Sequence, residues 1–328
     1  MTDTEYEERN MEPFVFIVGR GRSGTTLIRA MLTSNTELAI PNETHFVVPL
    51  SRDRRIVDEK GNVNIDAFLA RVKRQPGYQN MELDHASVTA AFHEAKPKSY
   101  ADAVRLLFRT YADKEGKPRY GDKTPIHVLH VEYLAEMFPE ARFIHLIRDG
   151  RNVTLSNLEL DWGPESVWEG AVYWKRFVNE GRRAGAKIGS ERYLELRYED
   201  LLEDPERHVR AMCDFVDLAF DPVMLRYFER TEKISGAKES HHQNLSRPPT
   251  KGLRDWRQQM SRRDVELFEV LAGDLLSEMG YERVTDGSSL SARANAGVKW
   301  MSVQGRRASR SVRKRTRRAR KSLQSVQQ

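Results

Sequence analysis

Five consecutive apolar residues, 14–18, run into the polar, glycine-rich stretch Gly19 to Thr26. Beyond it Leu27, Ile28, Met31 and Leu32 fall on one side of a helix. This pattern predicts a buried parallel strand, a tight turn and a helix. A second apolar run, 142–147, ends in Arg148-Asp149-Gly150-Arg151, and a third strand is predicted at 193–196. The stretches between are helical in period. Ser99 caps a helix through about 113 with Ala103, Leu106, Leu107 and Tyr111 as its stripe. Residues 126–138 follow Pro125, a favoured first helical position. Val167, Ala171, Trp174 and Val178 share one face, as do Val265, Phe268, Leu271, Leu275 and Met279. Strands alternating with helices predict an α/β fold, a P-loop-like three-layer sandwich with a central parallel sheet and helices on both faces. Residues 51–98 are less regular and rich in charge, and are read as a mixed insert. Residues 231–254 hold Gly236, Pro248, Pro249 and Gly252 with little apolar period, and are read as a long functional loop.

Charge divides the chain. Over 328 residues it carries 54 Lys and Arg against 48 Asp and Glu, a net +6. Twelve of those bases lie after Asp286 and no acid does, which leaves the preceding body with 42 bases against 48 acids and a net charge of −6. A mildly acidic domain, 1–286, followed by a basic, disordered tail, 287–328, is expected. The tail's arginines have no interleaved aromatics, so it is read as a tether to an anionic membrane surface or a polyanion rather than a base-stacking segment. No apolar run approaches the roughly 18 residues of a membrane span. Residues 1–12 are acidic and polar without a signal-peptide core, so a cytoplasmic protein, peripheral to the membrane through its tail, is expected. The one cysteine, Cys213, shares an apolar helix face with Val209, Met212 and Val216 and is read as a buried, inert thiol. His241-His242 has no companion cluster at zinc spacing, so no metal is expected. Trp174 is assigned to the core and Trp162, beside Gly163-Pro164, to a pocket edge.

The chemistry begins at the first turn. Gly19 and Gly24 have four residues between them, as in a triphosphate-binding loop, yet Thr25 occupies the place of the lysine that such a loop needs. What is left is an anion site at a helix N-terminus. Backbone N–H groups and the hydroxyls of Ser23, Thr25 and Thr26 are its donors, Gly21 and Gly24 allow close approach, and Arg20 and Arg22 bring fixed charge.

This loop resembles the 5′-phosphosulfate-binding loop of sulfotransferases that use 3′-phosphoadenosine 5′-phosphosulfate (PAPS). Two further elements resemble that family in the same order along the chain. The strand ending in Arg148-Asp149-Gly150-Arg151, with Ser156 eight residues beyond Arg148, is similar to its 3′-phosphate element. The stretch from Arg247 to Arg257, with Lys251, Gly252 and Trp256, is similar to its late cofactor loop, although Arg254 stands where the family's tightest form has a glycine. Tyr198, in Tyr198-Glu199-Asp200-Leu201, matches an element near the adenine and is equally read as a core tyrosine. The resemblance covers roughly 14–282 and is closest to the tyrosylprotein and carbohydrate branch.

It implies PAPS as donor, bound by residues 20–26, Arg148, Ser156, Tyr198, Lys251 and Gly252, with Arg247 a further helper, and no metal. It implies Glu43 as the base that deprotonates a hydroxyl acceptor, with Arg22 and Lys123, in Gly121-Asp122-Lys123-Thr124-Pro125, stabilising the transferring sulfuryl group. His45, two residues from Glu43, is the rival base. Carbohydrate, glycolipid, tyrosyl and small natural-product hydroxyls all stay open as acceptors. A P-loop nucleotide kinase or NTPase, and a non-catalytic nucleotide-binding module, are the competing classes.

Overall fold

The computed structural model describes residues 12–233 and 255–285. They fall into two compact units, one of residues up to 148 together with 176–253, the other of 149–175 together with residues from 254 on. Helices of eight or more residues are labelled in chain order.

The first unit is built on a five-stranded sheet in the order β2-β3-β1-β4-β5, parallel throughout. Its strands are β1 (Val15–Gly19), β2 (Leu38–Ala39), β3 (Arg119–Lys123), β4 (Arg142–Ile147) and β5 (Tyr193–Arg197). In the central strand Val15 faces Gly121 and Arg142, and Ile17 faces Lys123 and Ile144.

The alternation of a strand makes the two cores. Phe14, Phe16 and Val18 point into one, where Phe143, Phe138, Tyr120 and the buried stripe of α4 (Tyr100–Lys114) meet them. Val15 and Ile17 point into the other, with Ile28, Met31 and Leu32 of α1 (Thr25–Thr33) and Val209, Met212 and Cys213 of α7 (Pro205–Phe215). Two cores on one sheet make three layers, as the sequence predicts. Ser99 caps α4 in a reciprocal box with Asp102. Cys213 is fully buried and its thiol is pushed up to about 11 by burial, an inert state for a thiol.

The insert holds α2 (Ile65–Val72), the short helix Pro76–Gln79 and α3 (His85–Ala95). The single helix predicted at 126–138 is two pieces, a 3₁₀ segment Pro125–His130 and a helix Val131–Met137. His130, at φ −134°, leaves helical geometry between them.

The second unit contains α5 (Gly150–Leu158), the first half of α6 (Val167–Ile188) and α8 (Arg262–Glu278). Trp174 is buried here, as expected, while Trp162 is 69% exposed. At its centre lies Arg151, fully buried. It donates to Asp149 Oδ1 at 3.0 Å and Oδ2 at 2.7 Å, to Glu269 at 2.7 Å and to the Glu282 carbonyl at 2.8 Å, with Trp256 stacked 3.6 Å away. The second arginine of the predicted phosphate element is therefore a core cross-link. Arg151→Met strands two buried carboxylates and is expected to cost about 3–5 kcal/mol, read as a lowered urea midpoint. A change below about 1 kcal/mol, the scale of an exposed pair, would contradict this placement.

Among the described residues no helix is long and apolar enough to cross a membrane. Residues 1–11, 234–254 and 286–328 lie outside the description, and with them Lys251, Gly252, Arg247, His241, His242 and the basic tail.

Candidate active site

Because all five strands run the same way, their C-terminal ends share one edge, where open α/β sheets bind ligands. In the first unit that edge collects most of the residues singled out in the sequence. After β1 comes the loop to α1. Gly24 is the N-cap of α1 at φ 101°, and no side-chain hydrogen bond closes the first helical turn. Those N–H groups lie at the positive end of the helix, an arrangement that suits a phosphate. A Cβ at Gly24 would lie 2.5 Å from a ring carbon of Tyr198, so both the left-handed backbone and the contact require glycine there.

Tyr198 follows β5, and Arg148 follows β4. The Arg148 guanidinium sits 4.5 Å from the Tyr198 ring centroid and donates to the Arg22 carbonyl at 3.4 Å. Loop, tyrosine and arginine thus form one cluster. Within the loop, Ser23 and Thr25 are buried, Arg20 lies over the Phe177 ring at 4.9 Å, and Arg22 is itself left-handed at φ 76°. A left-handed non-glycine residue costs backbone energy and is concentrated at functional sites.

Glu43 lies beyond β2 and Lys123 ends β3. Lys123 is 1% exposed. Its Nζ donates to Glu43 Oε1 at 2.8 Å and to Thr26 Oγ1 at 3.3 Å, joining the base candidate to the phosphate loop. His45 Nε2 lies 2.9 Å from the other carboxylate oxygen, and His45 is held at φ 54°.

Burial pushes the Glu43 carboxyl up, but the hydrogen bond from His45 and the charge and hydrogen bond of Lys123 together outweigh it and hold it at about 2. Burial lowers Lys123 from the ordinary lysine value, against the opposing pull of Glu43. The Glu43 hydrogen bond raises His45 against its own partial burial. The result is a carboxylate held ionised between a buried ammonium and an exposed imidazole whose affinity for a proton it raises.

Four residues that the sequence reading did not single out support this loop. Thr44 donates its hydroxyl to Asp122 Oδ1 at 2.8 Å, and its N–H goes to Thr124 Oγ1 at 3.0 Å. Arg29, 2% exposed on α1, donates from Nε to the Ile40 carbonyl at 2.9 Å. Only Asp122 and Thr124, as neighbours of Lys123 in a polar strand, left a trace in the sequence. Ser156, by contrast, is buried on α5 in the second unit. No group of three or more metal-ligating side chains occurs among the described residues.

Known proteins resemble this chain at three levels. The sulfotransferase domain from the Synechococcus PCC 7002 olefin synthase matches the structure with a TM-score of 0.53 at 20% identity, over 83% of this chain and 95% of that one, a likeness of fold. Protein-tyrosine sulfotransferase 2 of Gallus gallus is 26% identical over 247 residues, 72% of this chain and 59% of that protein. Protein-tyrosine sulfotransferase 1 of Danio rerio is 26% identical over 286 residues, 82% of this chain and 72% of that protein. The match therefore spans less than two thirds of the Gallus gallus protein and somewhat more of the Danio rerio one. A model of the sulfotransferase family matches residues 13–222, well over half the chain, with the phosphate loop, Glu43, Lys123, Arg148 and Tyr198 all inside the match. On that match, the chain belongs to the sulfotransferase family.

Proposed function

We propose that this protein transfers the sulfuryl group of PAPS to a hydroxyl acceptor. The observation that carries the proposal is the buried Lys123 ammonium, placed between the carboxylate of Glu43 and the Thr26 hydroxyl of the phosphate loop. The donor set fits a phosphosulfate: helix N–H groups and hydroxyls, two cationic side chains, and no lysine of the triphosphate-binding kind. When bound, the donor supplies a sulfuryl group on a phosphate leaving group.

The rest is work for the chain. Glu43 takes the acceptor's proton as the new O–S bond forms. Lys123 and Arg22 hold the negative charge that grows as the S–O bond to the 5′-phosphate breaks, and the first turn of α1 holds that phosphate. Arg148, stacked on Tyr198, reads the 3′-phosphate. A carboxylate held at about 2 is a weak base. As Lys123 turns to the reacting oxygens its hydrogen bond leaves Glu43, and burial, then opposed chiefly by His45, raises the carboxyl from that value. The relatives' names make a tyrosyl hydroxyl the first acceptor to try.

Calorimetry without metal is expected to give clear preference for adenosine 3′,5′-bisphosphate over 5′-AMP and ATP, and Arg148→Ala is expected to erase the margin over 5′-AMP. Preference for ATP with Mg²⁺ would place the protein among the kinases instead.

A further inference from the structure

We propose that Asp122 and Thr44 are positioning residues for the general base: Asp122 grips Thr44, and that grip sets Glu43 on Lys123. The inference rests on the reading of Glu43 as base.

Consecutive residues of β3 point to opposite faces of the sheet. Asp122 pairs with Phe16 and Lys123 with Ile17, and those two belong to different cores. The segment after β2 crosses this edge and meets both faces in turn. Glu43 takes the ammonium of Lys123 at 2.8 Å, and the next residue, Thr44, gives its hydroxyl to Asp122 at 2.8 Å. Thr124 completes the grip by donating to Asp122 Oδ1 at 3.1 Å while accepting the Thr44 N–H at 3.0 Å. A slip of one residue would exchange carboxylate for hydroxyl at the ammonium, as a one-residue slip exchanges the faces of a strand.

The hydroxyls of Thr44 and Thr124 are the hydrogen-bond donors to Asp122. Asp122 is fully buried beside Lys123, and its second oxygen lies 2.9 Å from His127 Nδ1 but out of hydrogen-bond alignment. A buried carboxylate is retained at a cost unless it is hydrogen-bonded, and its donors here are the hydroxyls that fix the base segment. Two more contacts hold the same segment. Arg29 takes the Ile40 carbonyl. Gly77 packs so closely on Thr44 that a Cβ there would overlap the Thr44 carbonyl. His45 carries the left-handed turn that follows. The segment is therefore fixed before, at and after Glu43, where a misplacement of about 1 Å is enough to cost on the order of 10²-fold in rate.

The test uses the full chain, with sulfuryl transfer from PAPS to a tyrosine-containing peptide, calorimetry with adenosine 3′,5′-bisphosphate, and ¹³C NMR of the glutamate carboxyls, the Glu43 signal being the one absent in Glu43→Gln. Thr44→Val keeps the shape and deletes the hydroxyl. It is expected to lower kcat about 10- to 100-fold with bisphosphate affinity unchanged, and Thr44→Ser is expected to restore the rate.

The charged groups facing Glu43 are Lys123 of β3, His45 of its own segment and Arg29 of α1. In the wild type His45 and Lys123 hold the carboxyl well below the ordinary glutamate range. In Thr44→Val it is expected to titrate upward by about one unit or more, as a carboxylate leaving a cation does. Thr124→Val, which deletes the acceptor of the Thr44 N–H, is the second variant and is expected to give the same pair of effects. Wild-type kcat and an unmoved Glu43 titration in both valine variants would overturn the positioning role, as would failure of Thr44→Ser to recover. An active Glu43→Gln overturns the base reading itself, which separates the two failures.

Discussion

Glu43→Gln is expected to lower kcat by about 10²- to 10⁴-fold, the range supplied by a positioned general base, while the affinity for adenosine 3′,5′-bisphosphate stays within a few-fold. The reasons are geometric. The amide keeps the length of the side chain, and its oxygen still accepts from Lys123, so the segment held by Thr44 has no cause to move. What disappears is the ability to take a proton. A second consequence follows for Lys123. Burial already lowers its affinity for a proton, and the charge of Glu43 is the largest force opposing that. Without the carboxylate the ammonium of a 1%-exposed lysine loses charge as pH rises, so the basic limb of kcat/KM should move to lower pH in the variant.

His45→Ala separates the two candidate bases. If Glu43 is the base, removing His45 deletes one hydrogen bond at a half-exposed position and leaves Lys123 in place, for a loss of less than about 10-fold. A collapse of turnover in His45→Ala with activity retained in Glu43→Gln would reverse the roles.

The parts of this fold that were legible in sequence are those whose burial is continuous along the chain. β1 and β4 are apolar runs, and α4 and α8 carry unbroken stripes with serine caps. β3 was not legible. Its sequence, Arg-Tyr-Gly-Asp-Lys, looks solvent-exposed, yet all five residues are buried. Its charged members find hydrogen-bond partners far away in the chain: Arg119 in the carbonyls of Val216 and Asp217, Asp122 in Thr44, and Lys123 in Glu43. Pattern reading sums over a local window, and partners dozens of residues away do not enter the sum.

The same reason divides the site. The phosphate loop was readable because turn, glycine spacing and helix start are local. Glu43, Lys123 and Arg148 came through family resemblance, Arg148 with the added cue of standing at the end of an apolar run. Arg29 sits inside the apolar stripe of α1, and nothing local distinguishes it from a surface arginine. Arg148 was assigned to the phosphate from the resemblance and Arg151 was given no role, and the fold shows the first following β4 at the sheet edge and the second buried under Trp256.

Lys123→Met is the second large effect, with an expected loss of about 10²- to 10³-fold in kcat, the cost of removing one donor to developing charge. Methionine fills a buried slot without leaving a charge in it, so the fold is expected to stand. The sharper signature is in the pH dependence. Glu43 is held at about 2 in the free protein, and kcat/KM reports the free enzyme, so the wild-type acid limb lies below the working range. With the ammonium gone, burial and His45 are left opposing each other, and the carboxyl rises toward or above the ordinary glutamate value of about 4.3. The base must be ionised to act, so activity is then lost on acidification at a pH where the wild type is still at plateau.

Stability follows the same sign. A depressed carboxyl contributes fully above its unfolded value, and the contribution is lost as pH falls toward 2. Lys123→Met removes much of that dependence. Lys123→Arg is not expected to rescue turnover, because a planar fork does not replace a point charge that must leave the carboxylate for the reacting oxygens. An acid limb unmoved in Lys123→Met would mean that His45 alone holds Glu43 down, and the shared-cation mechanism would then fail even with Glu43 standing as the base.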